Sequence, residues 1–417
     1  MSSGPLAAKE PSGAPANPGA NQTLDGLNFL LADVRGGLGP YVGVFLITQA
    51  GWDQATLGAV LTLSGLVGIA VHAPIGALID ASRAKRAILV TAIVLLAISS
   101  LAIISAPTVP VVFAADVTMA ALGAVFAPVV AAITLGLTPT AALAARFGRN
   151  AAFDKIGNVF IALLAGVVGA SFGQGAVFWL VPLFGLLAIL ATLRIRPQDI
   201  NHRRARGFDA QPPPISHSSE TDEKPEAWFR LLGRRDVAIL ALVAASFHFA
   251  NAPMLNMVSQ KLALAHPGEE SALTATAVLI AQLSTIPASL LLARADLVGR
   301  KPFLIVALAA LPVRGAIFAL SDNAVVLLAA QVLDGVGAGL FDALLPLMLA
   351  DAVRGSGRYT LARGLLGTIQ GIGGSLSNVV SGGLIVAAGY NATFAILAGV
   401  GLLVLVAAWQ SGIVARR

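Results

Sequence analysis

Three aspartates stand within stretches of the chain that are otherwise apolar, at Asp33, Asp334 and Asp342. A charged side chain at the centre of a bilayer costs about 2.5–3.5 kcal/mol on insertion scales, so such a residue needs a partner or a function. A carboxylate in these surroundings can exchange a proton. We predict that the three residues couple proton movement to function, foremost Asp342, which lies deepest. The alternative for Asp33 is a structural ion pair with a neighbouring helix.

Amide, histidine and further charged side chains also interrupt the apolar stretches. Polar side chains within spans usually face the interior of a helix bundle. We therefore predict that the following residues line a central cavity and bind a polar solute: Arg35, Asp154, Asn158, His248, Asn251, Asn256, Gln282, Gln370 and Asn378. The alternative is helix packing through glycine, with the amides linking neighbouring helices and His248 as a hydrogen-bonded packing residue.

The elements that carry these residues are predicted to be membrane spans. The 417 residues are 57% hydrophobic and 12% charged, whereas a soluble globular protein is about 25% charged. Continuous apolar runs of about 20 residues indicate helices and exclude a membrane barrel. Twelve such runs are predicted, at 25–50, 55–79, 87–106, 109–137, 149–170, 176–194, 236–263, 272–294, 302–320, 324–352, 359–387 and 392–412.

Lysine and arginine predict the orientation of these spans. Basic residues concentrate in alternate loops, and the loops between them near Asp53, Gly173 and Asp322 contain none. Since basic loops stay cytoplasmic, we predict that both termini are cytoplasmic and that the protein lies in the plasma (inner) membrane. The net charge of +6 follows from this topology and does not indicate nucleic-acid binding.

One long polar segment divides the chain into two halves. We predict a disordered tail at 1–24, a six-helix bundle at 25–195, a cytoplasmic linker at 196–235, a second bundle at 236–412 and a short tail at 413–417. The chain has no cysteine, and no spacing of histidines or acids indicates a metal site, so no metal or other cofactor is predicted.

Two copies of one short motif follow predicted spans 2 and 8, and their acids, Asp80 and Asp296, are 216 positions apart. Each copy has a basic cluster within six residues of the acid, which indicates a duplicated chain. The pattern resembles the loop signature of the major facilitator superfamily, Gly-x-x-x-Asp-x-x-Gly-Arg-Lys/Arg. The residues that carry the resemblance are Gly76, Asp80, Asp296, Gly299, Arg300 and Lys301. The chain departs from the signature at Leu292, at Arg83 and in the displaced pair Lys85-Arg86.

The resemblance spans residues 25–412 and implies an all-α integral membrane protein, with twelve transmembrane helices in two pseudo-symmetric six-helix bundles. It also implies a cytoplasmic gate between the bundles, in which each signature aspartate meets the positive N-terminal end of a helix from the other half. Arg358 or Arg363 would complement Asp80, and Arg146 or Arg149 would complement Asp296.

The function implied by the resemblance is secondary active transport of a small solute, with protons as the coupling ion and the bundles rocking about a central site. We expect the monomer to be functional. The sequence leaves the substrate open among organic anions, metal chelates and drug-like compounds. An uncoupled facilitator is the alternative. The sequence has no nucleotide-binding P-loop, so nucleotide does not drive transport. An enzyme or receptor ranks last, because no metal-ligand cluster, Ser/His/Asp spacing or pair of histidines on one helical face is present.

Overall fold

The computed structural model describes residues 18–36, 39–82, 84–139, 142–201, 234–291, 299–353 and 359–411. The predicted linker and both predicted tails lie mostly outside these ranges. Within them the regular structure is helical, as the sequence predicts. The first helix begins at Pro18, ahead of the predicted start at residue 25.

The helices of the first half are mostly long and apolar. Their bounds are α1 Pro18–Gly36, α2 Gly39–Thr48, α3 Gln54–Ala81, α4 Lys85–Ser105, α5 Val109–Leu137, α6 Leu143–Phe172, α7 Gln174–Val177 and α8 Leu180–Arg194. Two of the predicted spans are each divided into two helices, α1 with α2 and α7 with α8. A single 3-10 turn, Pro197–Asp199, follows α8.

The second half is likewise built from helices. Its helices are α9 Arg235–Ala265, α10 Glu270–Leu291, α11 Lys301–Leu320, α12 Ala324–Ala329, α13 Gln331–Ala352 and α14 Tyr359–Gln410. The backbone of α14 leaves helical geometry at Gly389, with φ 81° and ψ 172°, so α14 consists of two helices joined at a kink. A positive φ of this kind favours glycine, which explains the residue at this bend.

Ten helical stretches of the described chain are long and apolar enough to cross a membrane. One of them covers Leu361–Gln410 and has room for two crossings. A shorter apolar helix, Gly39–Thr48, follows α1 in the chain. The all-helical membrane fold is therefore confirmed, and the count of twelve spans stays a prediction.

Buried apolar side chains form two separate cores, one for each half. The first contains residues between Leu24 and Ile200 together with Ala275 of α10, and the second contains residues between Val237 and Ala408. Each half of the chain therefore packs around its own centre.

Two basic residues of the first signature copy bind the ends of helices. Lys85 is buried and donates from Nζ to the carbonyl of Ile79 (2.9 Å), at the end of α3. Arg86 donates to the carbonyls of Thr192 (3.2 Å) and Leu193 (3.0 Å), at the end of α8. Cations at helix C-termini satisfy carbonyls that have no partner within the helix. These basic residues thus fix the loops that join the spans.

Asp53 caps the N-terminus of α3. Its carboxylate accepts from the backbone N–H of Thr56 (2.9 Å) and from the Thr56 hydroxyl (2.6 Å). The side-chain hydrogen bond from Thr56 holds the pKa of Asp53 below its ordinary value. The cap therefore stabilises the folded state at neutral pH, and its contribution is lost as the pH falls through that lowered pKa.

Replacement of Asp53 by alanine is expected to lower stability by about 1 kcal/mol, because an N-cap acceptor is lost. Thermal unfolding in detergent measures the effect. Asp53→Asn keeps an acceptor at the same position and should behave as the wild type at pH 7. Equal losses in the two variants would contradict the capping role.

Candidate functional site

The two bundles meet at one end of the molecule. We call the end that carries Lys85, Arg146 and Arg300 the basic end, and the end that carries Asp53 and Asp322 the opposite end. Within the described ranges, the hydrogen bonds between the bundles join α3 to α14 and lie towards the opposite end, through Gln54 and Thr62. The bundles are thus closed at the opposite end.

Small residues bring the backbones of α3 and α14 together there. A Cβ atom added at Gly65 would lie 3.2 Å from Cβ of Ser375, and one added at Gly58 would lie 3.3 Å from Cα of Val379. Between these glycines, the Thr62 hydroxyl donates to the carbonyl of Ser375 (2.7 Å) and accepts from the N–H of Val379 (3.0 Å). The closure therefore depends on close backbone contact, as is typical of helix pairs in membranes.

A hydrogen-bonded chain of polar side chains lies next to this contact. Tyr390 OH accepts from Gln54 Nε2 and donates to Gln260 Oε1, both at 3.1 Å. These glutamines also line a cavity of about 30 Å³, large enough for one water molecule. Asn256 and Asn378, both predicted to bind the solute, line the same cavity. In this conformation they belong to the closure at the opposite end.

The strongest cluster of ionisable groups lies nearer the basic end, on three helices of the second half. His248 Nε2 of α9 is 3.6 Å from Asp342 Oδ1 of α13. Gln370 of α14 places Nε2 3.5 Å from His248 Nε2, and Arg363 Nη1 donates to Gln370 Oε1 at 3.3 Å. The structure therefore brings together four of the residues that the sequence singled out.

Asp342 is exposed although it belongs to an apolar span. Its side chain is 61% exposed and that of His248 is 27% exposed. The exposure follows from the position of the closure, since the hydrogen bonds of Gln54 and Thr62 hold the bundles together at the other end. The side chains of Asp342 and His248 are thus accessible from the space between the bundles.

The hydrogen bonds define the tautomer of His248. Nδ1 lies 3.0 Å from the carbonyl oxygen of Ala244, which can only accept, so Nδ1 carries a proton. In the neutral ring Nε2 then accepts from the Gln370 amide. A second proton on Nε2 would instead face the Asp342 carboxylate. Nε2 can therefore interact with either Gln370 or Asp342, according to whether it carries a proton.

A further aspartate of the second half lies in different surroundings. Asp334 of α13 forms an ion pair with Arg314 of α11, whose side chain is 1% exposed. Arg314 Nη2 also donates to Asn251 Oδ1 of α9 at 2.8 Å. This geometry favours a structural role for Asp334 and Asn251, and their predicted roles in proton coupling and solute binding stay predictions.

The remaining predicted binding residues lie on other helices, α1, α6 and α10. Asp154 and Asn158 lie on α6 of the first half, where Asn158 Nδ2 donates to the Asp154 carbonyl at 2.8 Å. Gln282 is half-buried on α10. The side chains of Asp33 and Arg35 on α1 are outside the described part of the structure. Their predicted roles stay predictions.

Two predicted gate residues bind an acid of their own half. Arg146 pairs with Asp25 of α1, and Arg149 Nη2 lies 2.7 Å from the same carboxylate. Asp25 is 5% exposed, so two cations compensate one buried charge. The Asp80 side chain and the whole of Asp296 and Arg358 lie outside the described residues. The predicted contacts of the gate therefore stay predictions.

The sequence interpretation missed three groups that the structure makes prominent: Asp25, Thr62 and Tyr390. Thr62 lies four residues after Gly58 and three before Gly65, a helical spacing of small residues that indicates close packing. Asp25 lies just at the start of the first apolar run, where an acid draws little attention. No sequence signal pairs Tyr390 with Gln54.

Comparison with known proteins gives consistent matches over the whole chain. The family model described as Major Facilitator Superfamily matches residues 25–294 and 237–411. Two proteins from strains of Mycobacterium tuberculosis, each described as an uncharacterized MFS-type transporter, are 40% identical over 398 residues, covering 94% of this chain and 93% of their own.

Solved structures with the same fold are more distant in sequence. The nucleoside transporter NupG matches with a TM-score of 0.75 at 16% identity, covering 94% of this chain and 98% of that one. A POT family transporter in complex with 5-aminolevulinic acid matches with a TM-score of 0.72 at 12% identity, covering 97% and 98%. A bacterial homolog of the human lysosomal transporter Spinster matches with a TM-score of 0.68 at 16% identity, covering 95% and 96%.

Proposed function

The chain belongs to the major facilitator superfamily, and on that premise we propose that it is a proton-coupled secondary transporter in which His248 and Asp342 carry the coupling proton. The observation that carries the proposal is the pair itself, 3.6 Å apart and accessible between the bundles. A carboxylate and an imidazole at this distance exchange a proton as their surroundings change.

The proposed mechanism links the proton to the conformation of the bundles. In the conformation described here the pair is open to the space between the bundles, while the opposite end is closed by α3 and α14. Protonation of His248 replaces the hydrogen bond from Gln370 with an ion pair to Asp342. The released amide can then bind solute, which couples the two events.

We propose that the basic end is cytoplasmic, so that both termini lie in the cytoplasm of a plasma (inner) membrane protein. The conformation described here is then inward-facing. The proposed gate closes the basic end when Asp296 takes Arg146 or Arg149 from Asp25 and when Asp80 binds Arg358 or Arg363. The present contacts of Arg149 and Arg363 support such an exchange, because these side chains are not fully buried. We propose that the monomer carries out this cycle.

The substrate is proposed to be a small polar solute that carries a negative group. Arg363 and Lys155 supply positive charge near Asp342, and the amides of Gln370 and Asn158 supply neutral hydrogen bonds. A carboxylate of the solute would bind the Arg363 guanidinium through charge-assisted hydrogen bonds. Organic anions and metal chelates fit this description better than lipophilic cations do.

A ligand screen followed by reconstitution tests the proposal. Thermal shift of the purified protein is measured with benzoate, ferric citrate, uridine, dialanine, glucose and tetraphenylphosphonium, since a ligand of the folded state raises its melting temperature. The compound that stabilises most is then followed in liposomes with and without a pH gradient. Accumulation that requires the gradient is expected. Equal flux with and without the gradient would indicate an uncoupled facilitator instead.

A further inference from the structure

Arg314 of α11 contacts both helices that carry the proposed proton site, through Asp334 and Asn251. Arg314 projects from α11, Asp334 lies on α13, and Asn251 lies on α9. Asn251 is three residues after His248, and Asp334 is eight residues before Asp342. Asn251 therefore lies within one helical turn of His248, and Asp334 lies about two turns along α13 from Asp342.

The buried charge of Arg314 needs a physical explanation. Arg314 is 1% exposed, and a buried ion pair commonly gives no more stability than apolar residues of similar volume would. The neighbouring positions are already well packed, since a Cβ atom added at Gly315 would lie 3.0 Å from the Met254 methyl of α9. The pair therefore does not fill a gap that an apolar side chain would leave open.

The guanidinium of Arg314 supplies hydrogen bonds in defined directions. Arginine presents several donors in a rigid planar fork, so one side chain can bind an acid on one helix and an amide oxygen on another at fixed angles. Arg314 binds α13 through Asp334 and α9 through Asn251. Stacking of Phe247 on Phe341, with ring centres 4.1 Å apart, fixes the two helices at the level of the proton site itself.

We propose that Arg314, with Asp334 and Asn251, is a positioning group that sets the separation of α9 and α13 and thereby the distance between His248 and Asp342. None of the three exchanges the coupling proton. Asp334 is the fixed counterion of Arg314, and Asn251 is its second anchor. The inference rests on the proposed function, since it concerns the same proton site.

The test measures protonation of Asp342 without any solute. Infrared difference spectra of the reconstituted protein, recorded between two pH values, contain a band of the protonated carboxyl group that Asp342→Asn removes. The groups whose charges act on Asp342 are His248, Arg363, Asp334 and Lys155. Of these, His248, Arg363 and Lys155 are kept in all variants. The midpoint of this band against pH is the readout, because a purely structural role would not move it.

Two variants remove the positioning contacts in different ways. Asn251→Leu removes the anchor on α9 and keeps the ion pair. The double variant Arg314→Met with Asp334→Leu replaces the whole pair by apolar residues, which avoids an unpaired buried charge. In Asn251→Leu, which keeps every charge that acts on Asp342, we expect the midpoint to move by about one pH unit, the effect of changing one close charge contact. The double variant also removes the charge of Asp334, so Asn251→Leu is the variant that decides the positioning role. Thr276→Val, a polar-to-apolar change on α10, is the matched control and should leave the midpoint in place.

The outcomes separate the two proposals. A wild-type spectrum with no band that depends on Asp342 would overturn the proposed proton site. A wild-type band whose midpoint is unchanged in Asn251→Leu, with the protein folded, would overturn the positioning role alone. If the double variant does not fold, Asn251→Leu still decides the question, since it leaves the ion pair in place.

Discussion

Asp342→Asn is expected to abolish accumulation of solute against a gradient while exchange of solute across the membrane continues. Asparagine has the shape of aspartate but cannot take up a proton, so the step that depends on protonation is lost. The side chain is 61% exposed, and its replacement leaves no buried unpaired charge. We therefore expect the variant to fold and to melt near the temperature of the wild type.

The measurement compares two assays on the same liposomes. Uptake driven by a pH gradient should fall to the level of protein-free liposomes, and exchange at equal pH should stay within about threefold of the wild type, because substrate contacts remain. Asp199→Asn, the same substitution in an exposed turn at the basic end, is the control. Uptake that still follows the pH gradient in Asp342→Asn would remove this residue from the coupling step.

The sequence predicted the fold for a simple physical reason. A span must satisfy its backbone hydrogen bonds within itself and must be apolar over about 20 residues, so composition alone identifies it. The same constraint makes polar exceptions visible. His248, Asp342 and Gln370 were identified because they interrupt apolar helices, and the structure brings them to one place.

The partners of polar residues were harder to predict. Asp334 and Asp342 lie eight residues apart on one helix and look alike in the sequence, yet one faces the buried Arg314 and the other faces the space between the bundles. Which side of α13 meets α11 depends on packing between helices that are far apart in the chain. No periodicity within a single span contains this information.

Arg146 shows a second limit of sequence interpretation. The family signature predicts a contact across the bundles, whereas the structure shows a contact with Asp25 inside one bundle. A transporter passes through several conformations, and one side chain can have a different partner in each. A sequence motif indicates which residues take part in such an exchange, but a single conformation shows only one of its contacts.

Gly382→Ala is expected to shift the protein away from the conformation that is closed at the opposite end. A Cβ atom at Gly382 would lie 3.2 Å from Cα of Ala55 and closer still to the carbonyl oxygen of Gln54, both backbone atoms of α3. Backbone cannot move aside as a flexible side chain can. Overpacking of this kind costs about 1–3 kcal/mol, and the cost applies only while the two helices touch.

The next residue on the same helix provides the control. A Cβ atom at Gly383 would meet nothing within 4 Å, so Gly383→Ala makes the same chemical change without the contact. Since the chain has no cysteine, spin labels attached through Thr108→Cys and Glu269→Cys report the distance between the bundles at the opposite end.

A cost of 1–3 kcal/mol on one conformation corresponds to a population shift of about 5- to 150-fold. The label distances in Gly382→Ala should therefore move towards the longer, separated population, and those in Gly383→Ala should match the parent. Because the transport cycle requires this closure, gradient-driven uptake should fall in the first variant and persist in the second. Identical distance distributions in the two variants would mean that the contact between α3 and α14 does not control the closure.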